Sequence, residues 1–170
     1  MMSRELRRST MPYLTRGKRI VSRMPSPVSA ISKRSIPMPM PPEGGIVLDV
    51  SGLEREATSI EREDDGAIWI RAGAGVTFKD LRRLFPDHRT HSPPTTDTIT
   101  LAGALANCTH NSGGYFADSV RAFSFLTPTG ETVRCVRGAD GLSGRLFEHG
   151  PGSIGAFGVM TDIELRLTPI

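Results

Sequence analysis

The sequence predicts an α+β domain built on an antiparallel sheet with flanking helices. Three observations carry that expectation: two hairpin signatures, an alternating strand at the C-terminus, and no repeated strand-helix alternation of the kind a parallel sheet requires. The first hairpin pairs Ala57–Glu61 with Ala67–Ala72 around the acidic turn Glu63-Asp64-Asp65-Gly66. The second pairs Val120–Leu126 with Thr132–Val136 across Pro128-Thr129-Gly130. Val159–Leu167 sets Ile163, Leu165 and Leu167 against Asp162, Glu164 and Arg166, the pattern of a half-buried strand.

The remaining elements follow in order. Residues 1–43 mix Arg, Ser, Met and Pro without period, and end in Ser35-Ile36-Pro37-Met38-Pro39-Met40-Pro41-Pro42, where each proline removes a backbone donor. They read as a disordered basic arm and linker. The domain then spans residues 44–170, opening with Ile46–Val50, a short apolar run between glycines that predicts a buried strand. Thr77 and Asp80 form a capping box for a helix whose apolar face is Phe78, Leu81, Leu84 and Phe85, ended by Pro86. Leu142–Phe147 predicts a short helix, and Gly150–Gly158 is too rich in glycine to be regular.

Composition bounds the function. With 170 residues, 38% hydrophobic and 23% charged, the chain has the make-up of one soluble domain. No run approaches the roughly 20 apolar residues that cross a bilayer, and two cysteines are too few for a disulfide scaffold. The net charge of +3 conceals an asymmetry: residues 1–35 hold nine of the 21 Lys and Arg against Glu5 alone, which leaves 12 basic and 17 acidic residues for the body. The arm has one aromatic, Tyr13, and scattered charges, so no nucleic-acid partner is expected. An Arg- and Ser-rich, acid-poor N-terminus also fits a transit peptide, but the usual amphipathic helix is hard to trace and no apolar signal stretch follows the basic residues; a cytoplasmic setting is expected.

Between Ser92 and Val120 the chain contains no Lys or Arg and is rich in Thr, Gly, Ala, Ser and Asn. Thr100-Leu101-Ala102-Gly103-Ala104-Leu105-Ala106-Asn107 has helical leucine spacing with a first turn of small residues. Such a start offers free amide hydrogens and the positive end of a helix dipole to a phosphate or a ring oxygen, with Thr95, Thr96, Thr98, Thr100 and Thr109 supplying hydroxyls. The alternative is close packing of a small-residue helix on a sheet. His110, in Thr109-His110-Asn111-Ser112-Gly113-Gly114, faces a ligand or caps the helix end. Cys108 and His110 lack further spaced partners, so no metal is expected. Gly73-Ala74-Gly75 lacks the third glycine of a dinucleotide fingerprint and reads as a strand-to-helix turn.

Five blocks in order resemble one family: Gly45–Leu53, Ile70–Val76, Thr98–Ala106, Pro128–Glu131 and Gly155–Thr161. It is the flavin-binding domain of the vanillyl-alcohol oxidase and p-cresol methylhydroxylase (PCMH-type) superfamily, and within it the sugar and polyol oxidases. The resemblance implies FAD, held non-covalently, with Thr95, Thr100, Leu101, Ala102, Gly103, Asn107, Cys108, Thr109 and His110 along the flavin, and with Val159 meeting the adenine through its backbone. It implies oxidation of an alcohol carbon by hydride transfer to flavin N5. Against the family pattern, residues 1–43 lack the usual glycine-rich turn, Ala102 stands at a common glycine position, and the sequence stops before a substrate domain. The N-terminal subdomain is therefore expected to be largely missing, the catalytic residues are unassigned, and an alcohol substrate is expected only if a substrate domain is supplied elsewhere. A truncated remnant, or one half of a split enzyme, is the other expectation.

Overall fold

The computed structural model describes Val28–Ile31, Ile46–Asp49 and residues 56–170. Its main sheet has the strand order β3-β4-β10-β8-β9, where β3 is Ala57–Arg62, β4 Ile68–Gly73, β8 Val120–Leu126, β9 Thr132–Val136 and β10 Val159–Pro169. A short β5, His88–Thr90, pairs with the far end of β10, so that Leu167 has Ile68 on one side and Thr90 on the other. Every pairing in this sheet is antiparallel. Both expected hairpins form, and the last strand of the chain enters between them as the centre of the sheet. An antiparallel sheet with flanking helices is thus what the chain builds.

The helices are α1, Phe78–Leu84, α2, Leu101–Ala106, and α3, Gly141–His149; a small hairpin β6 (His110–Asn111) and β7 (Gly114–Tyr115) and a 3-10 turn at Phe116–Ser119 follow α2. The α1 capping box is present, with the Asp80 amide donating to Thr77 Oγ1 and the Thr77 amide to Asp80 Oδ2. Phe78 and Leu81 of α1, Leu101 and Leu105 of α2 and Phe147 of α3 join Ile70, Phe123, Ile163 and Leu165 of the sheet in one core. Each such side chain contributes about 1.5–3 kcal/mol when fully buried. Phe123 is the hub, stacked on Phe147 at 5.2 Å and edge-on to Phe125 at 5.1 Å.

Two further strands, β1 (Val28–Ile31) and β2 (Ile46–Asp49), pair in parallel with Val28 opposite Ile46. The strand at Val28–Ile31 falls within the residues 1–43 expected as an arm and linker. A four-residue segment carries too short a pattern to declare itself locally, and its hydrogen bonds come from a partner distant in sequence. The rest of that expectation, and the missing N-terminal subdomain, lie outside the described residues. Among the described residues no helix is long and apolar enough to cross a membrane.

A candidate cofactor groove at the end of the second helix

The expected helix start at Thr100 is real, and its capping corrects the expectation of free amides. Thr100 is the N-cap of α2, and its hydroxyl accepts from the Gly103 amide at 3.2 Å. The Leu101 amide donates to Val76 O at 2.8 Å and the Ala102 amide to Ala74 O at 3.3 Å. In return, the Phe78 and Lys79 amides at the start of α1 donate to Ile99 O and Asp97 O. The turn Ala74–Thr77 and the segment Asp97–Thr100 therefore lie alongside each other, joined by the bridge Thr77–Thr100, and each satisfies the other's helix N-terminus. Thr100 and Leu101 are buried there, and Ala102 and Gly103 half-buried. Close packing, the alternative reading of the small residues, governs this end of α2. Orphan amides at a helix start take whatever acceptors the fold presents, and here the fold presents the two helix starts with four carbonyls and two threonine hydroxyls.

The other end of α2 borders a cavity. The Cys108 amide donates to Leu105 O and the Thr109 amide to Ala104 O, the paired closure of a Schellman motif, with Cys108 at φ 52° where glycine is usual. This left-handed residue turns the chain back along the helix into β6. Asn107 Nδ2 donates to Gly103 O at 2.9 Å, and His110 Nδ1 meets Cys108 O at 3.0 Å. The glycine-rich loop after α3 adds to this closure: the Gly152 amide also donates to Leu105 O and the Ile154 amide to Ala106 O. Ile154 is the second non-glycine residue at positive φ among the described residues, so both left-handed side-chain-bearing residues meet at this junction. Strain of that kind concentrates at functional sites.

Beside it lies a cavity of about 260 Å³ lined by Pro94, Thr95, Thr96, Ile99, Asn107, Cys108, Thr109 and His110. Of the residues expected along a cofactor, the structure brings together Thr95, Asn107, Cys108, Thr109 and His110. Thr100, Leu101, Ala102 and Gly103 do not line the cavity, and Val159 sits at the start of β10, opposite Leu126. Pro94 and Ile99 were not anticipated, since neither carries a polar group to mark it in the sequence. Among the described residues, no Asp, Glu, Lys or Arg lines the cavity. Its hydroxyls, amide and imidazole beside two apolar side chains suit an uncharged heteroaromatic ring with a hydroxylated chain, and the volume takes part of a dinucleotide. The buried hydroxyl of Ser92, next to Pro93 and Pro94, has no hydrogen-bond partner.

A larger cavity, about 350 Å³, lies across the same Pro93–Thr96 strap against Phe78, Leu81 and Leu167. It shares Pro94, Thr95 and Thr96 with the first but none of Asn107–His110, and it is lined by two arginines, Arg89 and Arg82, the latter paired with Asp97. The smaller cavity is the better candidate because the anticipated residues converge on it.

The strongest charges stand elsewhere, on the sheet face turned away from the helices. Glu164 of β10, side chain 8% exposed, accepts from Arg71 of β4, Arg121 of β8 and Arg134 of β9. Burial alone would raise its pKa; the Arg121 hydrogen bond and the charges of Arg134 and Arg71 outweigh that and hold the carboxyl below its ordinary range. Arg121 also stacks over Trp69, whose indole N–H donates to Glu63. Burial pushes the Cys135 thiol up to about 11, whereas Cys108 is half-buried at the groove.

A family model described as the FAD binding domain matches residues 19–136. No curated protein matches the chain.

Proposed function

Because the chain belongs to the FAD-binding domain family, we propose that it is the flavin-holding part of an oxidoreductase acting on an alcohol group of a sugar, polyol or related substrate. FAD is the cofactor of that family, and when bound it supplies the acceptor for a hydride. Non-covalent attachment and a cytoplasmic setting are part of the proposal.

The observation that carries it is the uncharged groove at the C-terminal end of α2, where Thr95, Asn107, Cys108, Thr109 and His110 share one wall. The protein's part there is to bind and orient. Thr95, Thr96 and Thr109 offer hydroxyls to ring and chain oxygens, while Pro94 and Ile99 give an apolar surface that excludes water. The left-handed turn at Cys108 brings β6 back against α2, so the Asn107–His110 wall is held by main-chain hydrogen bonds instead of by loose side chains. Preorganisation of this kind lowers the ordering cost of binding.

The test is an FAD titration of the full chain followed by flavin fluorescence and by thermal unfolding. Binding should quench the flavin, and FAD at about 100 times its Kd should stabilise the chain by about 2.7 kcal/mol. Replacing Thr95 and Thr109 together by valine should weaken binding at least tenfold with little change in melting temperature. Retained fluorescence and an unmoved melting temperature in the parent chain would reject the groove as a flavin site.

A further inference from the structure

The imidazole of His110 is fixed in a way that its exposed position on a two-residue strand does not require. Nδ1 lies 3.0 Å from the carbonyl oxygen of Cys108, and a carbonyl has no proton to give, so in the neutral ring the proton resides on Nδ1. Nε2 then carries the lone pair. The ring is supported on its other side by Tyr115, its opposite number across β6 and β7, with centroids 5.6 Å apart and planes tilted by 49°. Cys108 can direct its carbonyl at the ring because it leaves α2 in the left-handed conformation. Among the described residues that line the groove, His110 is the one with an imidazole. Its neighbour Asn107 has its amide nitrogen engaged with Gly103 O, and the other polar side chains of the wall are hydroxyls and the Cys108 thiol.

We propose that His110 Nε2 is a dedicated hydrogen-bond acceptor of the groove, accepting a hydrogen bond from the bound molecule: from the imide N–H of the flavin ring or a hydroxyl of the alcohol substrate. The inference rests on the groove being the flavin site and goes beyond it by assigning the tautomer, the atom and the chemistry of the group it meets. The main chain sets the acceptor state, through the Cys108 carbonyl. A histidine that merely closed the end of α2 would need Nδ1 alone, and its Nε2 would be indifferent to ligand.

The test is imidazole nitrogen NMR on the full chain at about pH 8, above the ordinary imidazole range, with His110 assigned by the signals lost in His110→Gln. The free chain should show a protonated Nδ1 and an unprotonated Nε2. FAD should then shift Nε2 in the direction of hydrogen-bond acceptance. If N3-methyl FAD abolishes the shift, the donor is the flavin imide; if a shift appears only when xylitol is added to the FAD-loaded chain, the donor is the alcohol. A proton on Nε2 in the free chain overturns the inference. So does an Nε2 signal unmoved in every arm, or one moved equally by FAD and its N3-methyl analogue with no further response to xylitol. Fluorescence quenching run in parallel separates the two levels: quenching with a silent Nε2 defeats this inference alone, and absence of quenching defeats the flavin reading and this inference with it.

Discussion

Replacing Glu164 by glutamine probes the charged face of the sheet with almost no change in volume. In the native chain Oε1 accepts from Arg71 Nε at 3.0 Å, Arg71 Nη2 at 2.6 Å and Arg134 Nη2 at 2.7 Å, and Oε2 from Arg121 Nε at 3.1 Å. Glutamine removes the charge and turns one of the two acceptors into a donor that faces a guanidinium. Charge-assisted hydrogen bonds contribute about 1.5–3 kcal/mol each. The arginine side chains are 32–51% exposed, so water recovers part of the loss. The expected cost is about 2–3 kcal/mol, which for a chain of this size lowers the melting temperature by about 4–12 °C. Because the folded carboxyl titrates below its unfolded value of about 4.3, its contribution is fully present above that pH. It is lost as pH falls through the folded value, so the gap between parent and variant should close in acid. Thermal unfolding followed by circular dichroism from neutral pH to about pH 3 makes the comparison. A gap under about 0.5 kcal/mol at neutral pH, or one that persists unchanged in acid, would show that the arginines form a solvated surface network with no hold on the sheet.

Three other outcomes are expected. Gly158 has φ 141°, and a Cβ there would lie 2.4 Å from Leu126 O, so Gly158→Ala should cost more than about 3 kcal/mol by denaturant unfolding; a cost under 1 would contradict the close approach of β8 and β10. Thr100→Val removes the hydroxyl that accepts from the Gly103 amide and should cost about 1 kcal/mol, and with that hydroxyl engaged in capping the FAD Kd should stay within about twofold; a large loss of FAD affinity with intact stability would make the helix start a binding element. Of the two cysteines, Cys108 should react with an aromatic disulfide reagent near neutral pH and Cys135, buried and titrating at about 11, should not react until the chain unfolds. FAD should slow the Cys108 reaction, and an unchanged rate in saturating FAD would place the cofactor away from that wall.

Local pattern was enough for the elements that announce themselves within a dozen residues. The Thr77–Asp80 box, the two hairpins and the alternation of Val159–Leu167 each depend on neighbours in sequence, and each appears where the spacing places it. His88–Thr90 and the two-residue strands beside His110 were not legible, because segments of two or three residues have no period and form only where a partner strand awaits them. The groove was legible as composition: an uncharged stretch between Ser92 and Val120 rich in hydroxyls. Which end of α2 borders the groove was not, because that depends on the carbonyls of Ala74 and Val76, some 25 residues earlier in the chain, reaching the helix start.

The amino-acid order alone determined the antiparallel α+β class, the capping of α1 and a threonine-rich, cation-free segment suited to a flavin, since each of these follows from side-chain chemistry and short-range geometry. Tertiary structure alone decided that β10 runs between the two hairpins, and so gathers Arg71, Arg121 and Arg134 around Glu164. It also decided that the two helix starts cap each other and leave the groove at Asn107–His110. Strand neighbours and hydrogen-bond partners far apart in sequence are selected by packing the whole chain, and no local pattern encodes that choice.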